Sequence, residues 1–165
     1  MRYAVIALVL LIAGYVFCAP NGKVEQIGAF SDTAASEQLR NALEQKGYRV
    51  TLADGTALCE IWLRASLPPA KNEPSGATYT GIGESSLIGV LSFVKPTLDY
   101  RGQSVKPGAY TLRYVLHPVD GNHMGISPIR DFLLLVPVAE DKDPAAEIAF
   151  TDLNKLSHRA SGTNH

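Results

Sequence analysis

The sequence predicts a mainly β fold: an antiparallel β-sandwich with one N-terminal helix packed on it. Three observations predict it. After Gly47 the chain breaks into about five short apolar or alternating runs, separated by stretches rich in Pro, Gly, Ser and Asn. One segment ahead of them carries clear helical spacing. The strand–helix–strand rhythm of a parallel sheet is missing. A partly open barrel is the alternative arrangement of the same strands.

The 165 residues fit one domain. Arg2 precedes an apolar stretch from Tyr3 to Ala19, the charge-then-apolar order of a signal peptide over 1–19. Val16-Phe17-Cys18-Ala19 allows cleavage after Cys18, whereas cleavage after Ala19 places Pro20 just past the cut. Lipidation at Cys18 and an uncleaved N-terminal anchor are the alternatives. Removal of Cys18 leaves Cys59 without an internal disulfide partner, so the fold must stand on its own core. Cys59 sits in an apolar run and reads as a small buried hydrophobe; a reactive thiol would need a base and an electropositive pocket.

Residues 20–31 read as a short linker, and 32–158 as the single domain. The helix is expected over 33–46. Asp32 or Thr33 caps it, Ala35, Leu39, Ala42, Leu43 and Lys46 form its stripe, and Gly47 ends it as the left-handed residue past the last turn. Glu37, Arg40, Glu44 and Gln45 are its wet side. Its mixed charge argues for a helix docked on a sheet, not one lying on a membrane.

Tyr48 to Ala53 alternates as a strand, and Asp54-Gly55 marks a hairpin. Ala57 to Ala65 is the next strand. Pro68 to Gly83 is a loop, Ser86 to Val94 a central strand, and Lys95 to Lys106 a polar connection. Pro107-Gly108 turns into Ala109 to Leu116, where Tyr110, Leu112, Tyr114 and Leu116 alternate with Thr111, Arg113 and Val115. His117 to Pro128 is a second long loop. Phe132 to Val138 is nearly all apolar and reads as a strand buried on both faces. A charged stretch, Glu140 to Asp143, leads to a short helix at Thr151 to Ser157 and a flexible tail at 159–165.

Two segments carry a resemblance. Lys106-Pro107-Gly108-Ala109-Tyr110-Thr111-Leu112 is similar to the Pro-Gly turn and Tyr-bearing strand of carboxypeptidase-regulatory-like and transthyretin-like modules. Together with Glu60-Ile61-Trp62-Leu63-Arg64 it resembles an exported bacterial family, DUF2911, whose Glu-x-Trp-Arg strand precedes a Pro-x-Gly-x-Tyr strand. Here Leu63 stands between Trp62 and Arg64. The resemblance implies export and an Ig-like or transthyretin-like sandwich, and it brings no catalytic residues.

The formal net charge is -1 and no basic stripe is present, which excludes the electrostatic footprint of a nucleic-acid binder. The loop from His117 to Met124 is the segment with most chemistry. It places His117, Asp120, His123 and Met124 between two strands. Imidazole with thioether suits copper, and imidazole with carboxylate suits zinc, although the spacing matches no established ligand signature. Asp131 reads as a strand-start cap or as a partner of Arg130 or Arg113, with a general base near His123 as the sharper alternative. Glu60 and Glu84 are a conceivable carboxylate pair. Ser85-Ser86 has no defined partner, and Gly81-Ile82-Gly83 opens no helix and so makes no phosphate turn. Trp62, Tyr79, Tyr100, Tyr110 and Tyr114 read as strand packing before they read as a sugar or peptide platform.

These residues predict no cofactor and no catalytic group. Together with the resemblance, they imply a non-catalytic binding or structural module of a bacterial envelope, periplasmic or secreted, meeting a protein or carbohydrate there. Contact with membrane would come only through the leader or a lipid on Cys18. The alternative is a periplasmic metal-binding protein using the His117–His123 loop.

Overall fold

The computed structural model describes residues 22–72, 75–99, 102–119 and 129–161. The expected signal peptide, Cys18 included, lies outside the described residues, as do Tyr100, Asp120, His123 and Met124. The chain runs β1 (Lys23–Ile27), α1 (Glu37–Ala42), β2 (Gly47–Thr51), β3 (Ala57–Leu63), β4 (Leu87–Phe93), β5 (Thr97–Leu98), β6 (Ser104–Val105), β7 (Gly108–Leu116), β8 (Asp131–Pro137) and α2 (Phe150–Ser161). β1, β2, β3, β4, β7 and β8 form one six-stranded sheet in that order, every pairing antiparallel, and β5 and β6 pair as a separate hairpin. The expected mainly β, antiparallel character is therefore present. The facing second sheet of an Ig-like or transthyretin-like sandwich is not found among the described residues. Each main strand pairs with the next one available in the chain, so the strands are used up in a single meander.

Residues directly opposite each other share a face. Trp62, Val90, Thr111 and Val136 align in one row, and Ile61, Leu91, Tyr110 and Pro137 in the row on the other face. The first face carries the main core. Phe30, Ala35, Leu39 and Leu43 pack there with Trp62, Leu87, Val90 and Val138. On the second face Val105 of the small hairpin closes over Tyr110, with Phe93 and Leu135 beside them. α2 lies along the open β8 edge. Its Leu153 joins Val115 and Val136 on the first face, and Ala160 near its end joins Val105 and Tyr110 on the second. A helix laid there shields an edge strand from pairing with another chain.

Several expectations change. The segment expected as a linker supplies β1, an edge strand of the sheet. The N-terminal helix is six residues long, Glu37–Ala42, not 33–46. Ser36 caps it, its hydroxyl accepting from the Leu39 N–H at 3.0 Å. Asp32 instead closes a local turn on the Ala34 N–H. The helix stops because Leu43 turns extended and bridges Arg64, while Glu44 N–H donates to the Leu63 carbonyl. Ala35, Leu39 and Leu43 are all buried as their spacing predicts, but only Leu39 is in the helix.

Gly47 is no helix stop. It begins β2, and a Cβ there would collide with the Trp62 indole, whose Nε1 donates to the Gly28 carbonyl at 2.9 Å. The doubly buried strand is β7, buried from Tyr110 to Leu116, and not β8, where Leu133 is exposed. The C-terminal helix runs through Ser161 and takes in the start of the expected tail. Among the described residues no helix is long and apolar enough to cross a membrane.

Candidate functional site

A cleft of about 650 Å³ opens where the connection after β3, the turn before β4 and the segment leading to α2 meet. Its floor is built on Arg113. The sheet carries this side chain on its first face in register with Leu87 and Leu134, completely buried. A guanidinium has five N–H donors, and buried donors need partners. Here all five have one. Nε donates to Asp141 Oδ2 at 2.7 Å and Nη2 to Asp141 Oδ1 at 2.6 Å, a two-point ion pair. Nη1 donates to the carbonyls of Ser85 (2.8 Å) and Ala146 (3.1 Å), and Nη2 also to that of Asp143 (2.7 Å). The Thr111 hydroxyl donates to Asp141 Oδ2 at 2.6 Å. One side chain thus ties β7 to the turn before β4 and to the segment after β8.

Ser85 holds that turn at φ 70°, an uncommon conformation for a residue with a Cβ. Its N–H donates to the Tyr114 carbonyl at 2.7 Å, and its hydroxyl accepts from the Ile148 N–H at 2.8 Å and donates to the Ala146 carbonyl at 3.4 Å. The hydroxyl is therefore engaged by backbone, with no imidazole or carboxylate bonded to it among the described residues.

The long loop that walls the cleft is clamped to the sheet. Pro69 bridges Ile82, and Ala70 N–H donates to the Gly81 carbonyl at 3.1 Å. The buried Asp131 carboxylate accepts the Tyr114 hydroxyl at 2.5 Å and the N–H groups of Thr78 (3.0 Å) and Tyr79 (3.2 Å). Burial alone would raise the Asp131 pKa, but these hydrogen bonds from Tyr114, Thr78 and Tyr79 outweigh it and hold it down to about 2. Tyr114 moves the other way, pushed up by burial and then by the bond to Asp131. Arg130 donates to the carbonyls of His117 and Ser75, tying the same loop to the start of β8.

Besides Arg113, and Lys71 paired with Glu147, two further cations face the cleft. Arg64 follows β3, and its Nη1 donates to the Pro144 carbonyl at 2.9 Å. Burial and then the neighbouring Arg113 charge push the Arg64 guanidinium below its usual pKa, with Asp143 acting in the opposite sense. Arg130 also lines the cleft.

Among the described residues, those singled out from sequence do not assemble one site. His117 stacks its ring on Phe132, 4.2 Å between centroids, and donates its backbone N–H to the Arg130 carbonyl at 2.8 Å. The other three expected metal ligands lie outside the described residues, and no group of three or more His, Cys, Asp or Glu suited to a metal occurs among the described ones. Asp131 pairs with Tyr114, not with Arg130 or Arg113. Glu60 is bound by Arg49 at 2.7 Å, whereas Glu84 lines the cleft, so they are not a carboxylate pair. Cys59 is half-buried, and burial and then Glu60 push its thiol pKa up, away from thiolate chemistry. Trp62, Tyr110 and Tyr114 are buried with their polar tips bonded inside the protein, while Tyr79 is exposed; they form no common platform.

What sequence reading missed is the Arg113–Asp141 pair and the cleft above it. One signal was available: a lone cation in the middle of the most regular strand, with apolar residues on either side. Comparison with protein-family models, with curated proteins and with solved structures finds no match.

Proposed function

We propose that this chain is a non-catalytic binding module of a bacterial envelope, delivered there by residues 1–19, and that its ligand sits in the cleft above Arg113. The observation that carries the reading is that the cleft's wall and floor are held before any ligand arrives. The wall is clamped by Asp131, Arg130 and the Pro69–Ile82 bridge, and the floor by the five-donor set of Arg113. A preformed concavity of about 650 Å³ suits a small molecule or a few residues of a protein or glycan. Pre-organisation reduces the ordering cost of binding. A nucleophile activated by a base is not part of this cleft among the described residues, which favours binding over turnover.

The test is amide NMR of the purified product with mixtures of small acids, sugars and short peptides. Shifts should concentrate on Ala70, Ser85 and Ala146. Shifts confined to the opposite sheet face, or none, would sink the reading. The same preparation tests the metal alternative. Stoichiometric copper or zinc lost in His123→Ala would replace the cleft with a centre built on His117, Asp120, His123 and Met124.

A further inference from the structure

We propose that the ligand is a small organic anion whose carboxylate or phosphate is held by Arg64 and Arg130, with its apolar body against Pro68, Pro69 and Leu116; this rests on the cleft being the ligand site. The argument begins with charge. Arg113 is matched by Asp141, and Lys71 by Glu147. That leaves Arg64 and Arg130, neither with an ion-pair partner among the described residues, against the exposed Glu84 and the more distant charge of Asp143 on Arg64.

Both guanidiniums are only partly used. Arg64 spends one donor on the Pro144 carbonyl, and Arg130 spends two on those of His117 and Ser75. Those backbone bonds fix where each head lies without neutralising it. The remaining donors of a fixed planar fork match carboxylate or phosphate oxygens. Arg64 is also half-buried and shares the cleft with the Arg113 charge. A partly desolvated cation gains from an arriving anion more than an exposed lysine would. The depressed Arg64 pKa reflects the same crowding. The prolines and Leu116 give part of the cleft an apolar lining, which a bare inorganic ion would leave unused.

The probe is anilinonaphthalene sulfonate, an anion on an apolar body that fluoresces when bound. We expect the purified protein to bind it, added salt to weaken binding, and benzoate or phenyl phosphate to displace it. Displacement by only one of these two identifies the head group as carboxylate or phosphate. Arg64→Gln should weaken dye binding about tenfold or more, the scale of one lost charge-assisted contact, while the protein stays folded despite the lost bond to the Pro144 carbonyl. Arg64→Lys should recover part of it. Unchanged affinity in folded Arg64→Gln and Arg130→Gln, or no binding of any of the three compounds, overturns the proposal.

Ala145→Trp separates the two readings, because Ala145 is exposed and lines the cleft. If Trp at this position blocks the dye but the arginine variants do not, the cleft takes an uncharged ligand and only the anion is wrong. If it leaves dye binding intact, the dye lies elsewhere and the cleft reading falls too.

Discussion

Arg113 brings a full charge into β7, between β4 and β8, and the fold is arranged around that fact. Its separation from Asp141 is 28 residues, so no local pattern in the sequence could pair them. A period-two reading sees Thr111, Arg113 and Val115 only as the alternate face of β7. The cost of desolvating Arg113 is offset by two ion-pair bonds and three carbonyls. Such a pair contributes little over a well-packed apolar pair, yet it is severe to break on one side. Asp141→Asn, which leaves Arg113 unmatched, should therefore cost about 3–5 kcal/mol. The double change Arg113→Met with Asp141→Leu should cost clearly less. Urea unfolding of the three proteins measures this, and equal losses in single and double variants would mean that the pair is not the coupling unit.

At the scale of elements, the central strands and the C-terminal helix were legible, whereas β1, the small hairpin and the true extent of α1 were not. β2, β3, β4 and β7 fall where alternation and turn residues place them, because a half-buried pleat imposes a period of two. The segment around α1 shows the opposite. Its residues at spacing four are buried in either backbone state, so burial periodicity does not distinguish a long helix from a short one followed by extended chain. The decision is made at long range, where Leu43 bridges Arg64 and Ala65 N–H donates to the Ala42 carbonyl at 2.9 Å. Gly47 was misread for a related reason. Its lack of a side chain serves the Trp62 indole, 15 positions later, and not a helix end. Gly47→Ala should push the indole off the Gly28 carbonyl and destabilise by about 1–3 kcal/mol, the usual cost of overpacking. Trp62 is the chain's one tryptophan, so its emission should shift to the red in the same variant. An unshifted spectrum with full stability would show that the β1–β2 corner yields without cost.

For the whole molecule, the Asp131 clamp makes stability depend on pH at both ends. The folded pKa of Asp131 is about 2, below the roughly 3.9 of an unfolded aspartate. A lowered carboxylate pKa adds stability that is complete above about pH 4 and is lost as pH falls through 2. The loss is of the order of 2 kcal/mol and should release the loop wall together with the cleft. Tyr114 acts at the other end. Its pKa is raised in the folded protein, so its contribution is present below about pH 10 and is lost above that, where the unfolded phenol ionises first. Glu25 and Asp54 are also lowered, by Lys23 and by the Thr56 N–H respectively, so acid sensitivity in the intact protein is not Asp131's alone. Asp131→Asn isolates it. Asparagine keeps the shape but accepts the Thr78 and Tyr79 N–H groups less well, and it cannot titrate. The stability difference between the intact protein and this variant should be large at pH 6, shrink between pH 4 and 2, and be smallest at the acid end. A difference that stays constant across that range would show that Asp131 is held by shape and not by charge, and would remove the electrostatic clamp from the account of how the cleft stays open.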